Sequence, residues 1–470
     1  MRVTLIHVWL PAAAAMLTLG PAAYGSPAVD YAEALRQARV KAGAINGARL
    51  DFQAKQLQAD ALRRIDGPDV RLSGFAGRVS TSLSVDTGSI AQLANPLLDS
   101  LPSLPGLTLP DIAPSLNVDR VFDVRSLGLS SVWPLYTGGR LDAVKQVAAG
   151  RADEAGASVQ AAQDEASTQL AQRYFTVQLA RKAWQLRSAA AELAKEHQRA
   201  ALKMERAGLI AKVERLKADV ALDNAGREVA KAGSELEIAQ IALRRLLDAP
   251  GTVTPATPLF VHAQPVGSLA SFVDQAMASN AAWKQIDSKR KQAEGAVKLQ
   301  GRELSPTVIG IANYNLNRGS TARANWLVGV AVSVPLIERI DRAKMLSAAR
   351  LEQQRVEVAA EQAGRDIPTL AESQWRAMED ARQRYLAMGS AIELAYETRR
   401  LAQVAFQNGQ ASSTDVADAS LNYTKSSLER TQAAYEYVMA LARLLGTAGD
   451  PDRLPALART ATHIVDLTKD

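Results

Sequence analysis

Between Tyr31 and Arg64 the apolar residues Leu35, Ala38, Ala42, Ile45, Ala48 and Phe52 recur every three or four positions. That spacing predicts a helix with one apolar stripe, and Asp66-Gly67-Pro68 ends it. From Trp326 to Val334 the period is two. Trp326, Val328, Val330, Val332 and Val334 fall on one face, and Leu327, Gly329, Ala331 and Ser333 on the other. The partner strand, Thr307 to Asn317, sets Val308, Ala312, Tyr314 and Leu316 against Asn313, Asn315 and Asn317. One apolar face and one small or polar face suits a barrel strand between lipid and a wet lumen. A half-buried soluble sheet gives the same alternation, and the pattern alone does not choose. Long helices are also read from about Gly139 to Lys203 and from about Ile340 to Gln407. Each of these helices would be roughly 100 Å long, far beyond the globular norm.

The order of elements occurs twice. Gln37-Ala38, Ala44 and Pro68 pair with Gln275-Ala276, Ala282 and Pro306 at an offset of 238 residues. Pro134-Leu135, Arg181, Leu193-Ala194, Arg199, Gly208, Ala218 and Glu228 pair with Pro335-Leu336, Arg382, Leu394-Ala395, Arg400, Gly409, Ala419 and Glu429 at an offset of 201. The first repeat is assigned to 26–248: a helix, a strand at 69–83, a loop at 86–120, a strand at 121–134, a long helix at 139–203 and a helix at 213–247. The second takes 268–446, with a helix, strands at 307–317 and 326–334, a long helix at 340–407 and a helix at 413–446. The 249–267 linker and the 447–470 tail belong to neither pattern and are expected to form an equatorial belt. The difference of 37 residues between the two offsets falls in the stretch Asp86 to Arg120, where Pro96, Pro102, Pro105, Pro110 and Pro114 predict a long loop. Pro368 interrupts the second long helix at a position where the first copy has Ser167.

In each repeat the two shorter helices, about 35 residues each, together match one long helix in length. Each repeat then supplies two helical columns, and the chain four. Four strands per chain cannot close in lipid, because two edges would keep unpaired backbone groups. Closure takes at least eight strands. A dimer would fill its barrel with its own side chains. A trimer would give 12 strands and 12 columns with room for water, and export favours it.

Composition narrows the function. Apolar residues make up 47% of the 470 and charged residues 22%, as in an ordered chain. Arg2, the apolar run Leu5 to Leu19 and the small residues at Ala23-Tyr24-Gly25 read as a secretory signal over 1–25. There is no cysteine, which suits an oxidising envelope and leaves no site for an N-terminal lipid anchor. The net charge of +6 is spread over helix faces without a basic, aromatic-interleaved patch, so no nucleic acid is expected. The four histidines, His7, His197, His262 and His463, have no metal-ligand spacing, and neither HExxH nor a P-loop is present. Neither catalysis nor a cofactor is expected, and the eight methionines do not cluster as soft-metal ligands would.

Two motifs complete the picture. One closes a strand: Trp133-Pro134-Leu135-Tyr136-Thr137-Gly138-Gly139-Arg140, echoed by Val334-Pro335-Leu336. The other is a helix–turn–helix tip, Gly208-Leu209-Ile210-Ala211-Lys212-Val213-Glu214, echoed by Phe406 to Val416 through Gly409. With the duplicated order of elements, these motifs make the chain resemble the TolC-type outer membrane efflux proteins over nearly all of its mature length. The resemblance implies a mostly α fold with a membrane β-barrel: a homotrimer whose 12-stranded barrel in outer-membrane lipid continues as a 12-helix tunnel in the periplasm. It also implies a passive exit duct of a tripartite efflux or type I secretion system, opened by a periplasmic adaptor and driven by an inner-membrane pump. A drug pump, a metal exporter and a protein-secretion system can share such a duct, so the cargo is not legible. The competing class is a soluble periplasmic coiled-coil structural or interaction protein, which explains the helices but not the duplicated hairpins.

At the tips, Gly208 and Gly409 suit left-handed helix ends. Ser412 and Asp415 have the spacing of a capping box, which by itself accounts for Asp415. The resemblance places Asp415 and Asp418 on the closed periplasmic entrance, with Glu214 where relatives often carry Asp. It assigns adaptor docking to the turns holding Gly208, Leu209, Gly409, Gln410 and Ser412. Some relatives latch the entrance with a tyrosine and an arginine. Here those positions hold Phe406 and Ala411, so the latch must be of another kind.

Overall fold

The computed structural model describes residues 28–99, 111–316, 325–336 and 339–465. The expected signal (1–25), the middle of the Pro-rich stretch (100–110), Asn317 and the end of the tail (466–470) lie outside the described residues. In chain order the elements are β1 (Ala28–Val29), α1 (Tyr31–Lys41), α2 (Gly43–Ala61), β2 (Asp69–Asp86), α3 (Gly88–Asp99) and β3 (Ser115–Tyr136). Then come α4 (Arg140–Arg206), α5 (Lys212–Leu247), β4 (Thr254–Pro255), β5 (Phe260–Val261), α6 (Leu269–Ser279) and α7 (Ala281–Gly301). The chain ends with β6 (Thr307–Asn315), β7 (Trp326–Ser333), α8 (Arg342–Gln407), α9 (Ser413–Thr447), α10 (Leu454–Thr460) and β8 (His463–Ile464). The protein is mostly helical, and α4 and α8 run for 67 and 66 residues. Among the described residues no helix is long and apolar enough to cross a membrane.

The chain divides into two units. The helical unit holds the residues up to Lys55, Arg151–Lys289 and those from Val356 onward. Its core centres on Tyr31, Tyr174 and Phe175, whose ring centroids lie 5.2–5.3 Å apart. Small buried residues such as Ala171, Ala371 and Ala434 let the surrounding helices approach closely. The segment after α5 is held against this core by polar anchors. The Tyr174 hydroxyl donates to the Val29 carbonyl (2.7 Å) and accepts from the Thr257 amide (2.8 Å). Trp375 Nε1 donates to the Gly267 carbonyl (3.1 Å), and the His262 ring meets the Tyr437 hydroxyl at 3.0 Å. Two short ladders, β1 with β4 and β5 with β8, tie segments near both ends of the described chain to the same stretch.

One expectation for this unit changes. The helix expected over 31–64 breaks at Ala42, which takes ψ 111°, and α6 likewise parts from α7 at Asn280. Asn280 shows the physical reason. Its amide donates to the Thr447 carbonyl (2.9 Å) and its side-chain oxygen caps the Ala282 amide (2.9 Å). Tertiary bonds outweigh a helix propensity worth only tenths of a kcal/mol per residue.

The second unit, Gln56–Gly150 with Arg290–Arg355, holds an antiparallel sheet in the order β2-β3-β6-β7. One face carries Val70, Leu72, Leu129, Trp133, Tyr314, Trp326, Val328, Val330 and Val332, all exposed. The other mixes Ser73, Ser130, Asn313, Asn315, Gly329 and Ser333 with Val132, Ile309, Ile311 and Leu327. Tyr136 borders the apolar face near the helices, and the cross-strand pair Tyr314–Trp326 borders it at the far end. β2 and β3 run well past β6 and β7, pairing through Asp86–Ser115 without a register shift.

The Pro-rich stretch departs from the expected loop, because Gly88–Asp99 is helical with Pro96 inside it. A proline inside a helix removes its own N–H bond and crowds the carbonyl four residues back, and here bonds at both ends of the segment offset that cost. The start of α3 is secured by Asp86 Oδ1 accepting from the Gly88 amide (2.8 Å) and by Thr87, whose carbonyl accepts from Ala91 (2.8 Å). Asn95 pairs reciprocally with the Ile112 backbone at 2.8 and 2.9 Å, closing the far side.

Candidate functional site

Both helix–turn–helix tips belong to the helical unit and stop their first helix in the same way. Leu209 donates to the Met204 carbonyl (2.9 Å) and Gly208 to Glu205 (2.9 Å), with Gly208 at φ +70°. Gln410 donates to Ala405 (2.8 Å) and Gly409 to Phe406 (2.9 Å), with Gly409 at φ +75°. These are paired Schellman closures, and only glycine adopts that φ without cost. A Cβ on either glycine would meet nothing within 4 Å. Gly409→Ala is therefore expected to cost about 1–2 kcal/mol from backbone strain alone, read as faster amide exchange across residues 404–412 and unchanged exchange in the Tyr174 core.

The starts of the second helices differ. α9 opens with a full capping box: Ser412 Oγ accepts from the Asp415 amide, and Asp415 Oδ2 accepts from the Ser412 amide (2.7 Å) and hydroxyl (2.8 Å). α5 has no side-chain cap of its own at Ala211. Glu214 instead reaches across, accepting from the Ser413 amide of α9 (2.8 Å) and pairing with Lys217 (2.8 Å). Glu214, Ser412, Ser413 and Asp415 thus gather at one helix N-terminus, where the helix dipole favours negative charge. Hydrogen bonds from Lys217 and Ser413 hold the Glu214 carboxyl below its ordinary range, and the Ser412 amide and hydroxyl do the same for Asp415.

The tips are locked by two chemistries. In the first, the part-buried Arg215 of α5 pairs with Glu205 of α4 (2.7 Å) and with Asp219, and Gln198 joins Asp219 at 3.0 Å. In the second, Phe406 is 1% exposed and packs with Ala201, Ala218 and Val416, its ring edge-to-face with His197 at 4.4 Å. At the offset of 201, Glu205 falls on Phe406 and Arg215 on Val416. An ion pair in one tip is replaced by an apolar contact in the other.

The family model described as outer membrane efflux protein matches residues 34–249, which includes the whole first tip. Over that stretch the chain is similar to the outer membrane efflux proteins. Solved structures resemble it over nearly its full length. The outer-membrane channel OprN aligns at 17% identity over 89% of both chains with a TM-score of 0.71. CusC, described in terms of folding and transmembrane channel formation, aligns at 16% identity over 92% of this chain and 96% of its own, with a TM-score of 0.73. The outer membrane protein VceC of Vibrio cholerae aligns at 15% identity over 90% and 96%, with a TM-score of 0.71. No curated protein matches the chain in sequence. The family's role is efflux across the outer membrane, which is transport and not catalysis.

In this chain the residues read from sequence do not form one cluster. Asp415 and Glu214 share the α9 cap, while Phe406 lies beneath it as core. Asp418 stands exposed beside a groove of about 620 Å³ between α4, α5 and α9. Gly208, Leu209, Gly409 and Gln410 sit on the exposed turns. Sequence reading missed His197, Arg215 and Lys217. Glu205 and Arg215 stand ten positions apart across a turn, a spacing no local rule flags, although a charge pair bracketing Gly208 was visible.

His197 is 4% exposed and its Nε2 has no hydrogen-bond partner. Burial lowers its pKa, while the nearby Glu214 carboxylate pulls the other way. The unfolded chain therefore binds this proton first, and the His197 contribution to tip stability is lost as pH falls below about 6.5. The depressed Glu214 and Asp415 carboxyls withdraw their contributions only at lower pH, below their ordinary values. Protection factors at residues 201–218 and 402–416, taken relative to intrinsic exchange at each pH, are expected to fall from pH 7.5 to 5.5, and His197→Phe to flatten that change.

Proposed function

We propose that the protein is the outer-membrane exit duct of a tripartite efflux or type I secretion system, acting as a homotrimer. Three four-stranded sheets close into a 12-stranded barrel in outer-membrane lipid, and the helices form a 12-column tunnel in the periplasm. The carrying observation is the sheet itself: β2 and β7 are its two edges, and one face is a continuous exposed apolar band bordered by Tyr136, Tyr314 and Trp326. In water such a face and such edges would aggregate. In lipid, edge joined to edge around a three-fold axis, both are satisfied, with aromatic rims where outer-membrane barrels place them. The repeat at offsets of 238 and 201 supports two equivalent halves per chain, each giving one hairpin and two helical columns.

The tips are the closed periplasmic entrance, held by Phe406 packing and the Arg215–Glu205 pair. An adaptor docks on the turns at Gly208, Leu209, Gly409, Gln410 and Ser412, and an inner-membrane pump supplies the energy. Repeated by the three-fold axis, Asp415 and Asp418 form acidic rings that prefer cations. Replacing both with Asn is expected to reduce cation preference in planar bilayers; an unchanged reversal potential would refute the rings. The duct itself is tested by fractionation, since the chain should sediment with the outer membrane and a periplasmic soluble pool would exclude it.

A further inference from the structure

The β2–β3 hairpin reverses its polarity part-way along, with no bulge to explain it. Up to Gly74 and Leu127, Val70, Leu72, Leu127, Leu129 and Trp133 share the face of Trp326 and Val330, with Val132 on the other. Past that row the pairing continues residue for residue to Asp86–Ser115, yet most of the apolar residues move to the opposite face, Val121 and Ala76 remaining on the first. Phe75, Val79, Leu83, Val85, Phe122 and Val124 now lie on the side that carries Ser73, Ser130 and Asn313 nearer the helices, with the pair Thr81–Arg120 among them. The outer face becomes polar, with Arg78 Nε bonded to Asp123 across the strands at 3.0 Å and Ser80, Ser82, Asp119 and Arg125 beside them. Because side-chain direction alternates strictly, an unbroken register leaves no freedom in this assignment. Phe75 lies over Gly77, whose missing side chain lets the ring lie along the strand.

The reversal falls where lipid must end. A tilted strand crosses the hydrocarbon in about 9–11 residues, and the apolar face of β3 is used up between Leu127 and Tyr136. The Tyr314–Trp326 pair marks the same level on the neighbouring strands. The distal hairpin is therefore outside the bilayer, on the side away from the helices. It is a ribbon of two strands with one exposed apolar side, with Phe75 59% and Leu83 62% exposed. Such a ribbon is marginal in water and needs a cover.

We propose that the cover is the same face of the other two copies. This rests on the trimeric barrel: the face continues the lumen side, so three copies direct it toward one axis. The three distal hairpins converge over the exterior mouth and make an apolar constriction through which polar cargo passes only when they part. A constriction of this kind closes by expelling water from its apolar rows, with Arg120 of each copy set between them.

The chain has no cysteine, so a single one reports cleanly. In outer-membrane trimers, Val79→Cys is expected to give oxidised dimers between copies, whereas Ser80→Cys, one residue on and facing out, gives none. Phe75→Ser with Phe122→Ser is expected to raise single-channel conductance by about twofold or more while trimers still form, and Phe75→Leu is expected to leave it unchanged. Cross-linking by Ser80→Cys in place of Val79→Cys, labelling of Val79→Cys by a bilayer-confined maleimide, or unchanged conductance in the double serine variant would overturn the constriction and leave the barrel standing. Failure of the unsubstituted chain to form trimers would remove both.

Discussion

Replacing Phe406 and Arg215 together with alanine is expected to raise channel conductance several-fold, and each alone by much less. Phe406→Ala removes a fully buried ring from a four-residue cluster, a change that costs about 3–5 kcal/mol in well-packed sites. Arg215→Ala leaves Glu205 and Asp219 without the guanidinium that joins α4 to α5. Val416 and Ala218 pack on Phe406, and Arg215 lies three residues from Ala218 on α5, so the locks share a helix. Their effects should be non-additive. With one lock intact the tips stay together; with both gone the helix ends splay. A double-mutant cycle on single-channel conductance measures the coupling. Independent, additive effects would mean that the two tips open separately, and no effect in the double variant would place the barrier elsewhere.

Val330→Arg is expected to abolish assembly in the outer membrane. Val330 is 64% exposed at the centre of the apolar band. An arginine at the bilayer midplane of a barrel costs about 2–4 kcal/mol, and a three-fold assembly incurs that three times over. Asn313→Lys is the control: it lies on the opposite face of the adjacent strand, where a charge meets water. It should assemble normally and shift ion preference. Equal tolerance of both substitutions, read from the yield of outer-membrane trimers, would show that the band does not meet lipid.

How much of this was legible depended on whether one element or several decided it. The alternation of β7 and the left-handed glycines at 208 and 409 are local facts of the chain, and the structure carries both. The Ser412–Asp415 box was legible for the same reason, since capping uses only neighbours. The break at Asn280 was not, because the bond that decides it comes from Thr447. α3 was hidden by its own prolines: the count suggested a loop, while the caps at Asp86 and Thr87 and the clasp between Asn95 and Ile112 act at longer range. The polarity reversal in β2 is present in the letters around Gly74-Phe75, but it reads as broken alternation until the register with β3 shows that no residue was skipped. At the tips, Phe406 was noted as a lost hydroxyl. Its real surroundings, His197 and Ala201 of α4, come from some 200 residues away.

The account turns on three copies completing one sheet. The most direct measurement is the native mass of the complex extracted by mild detergent from outer membranes. Three chains of the processed protein, resisting dissociation until heated, are expected. A single chain, or a stable dimer with every strand edge protected from amide exchange, would contradict it.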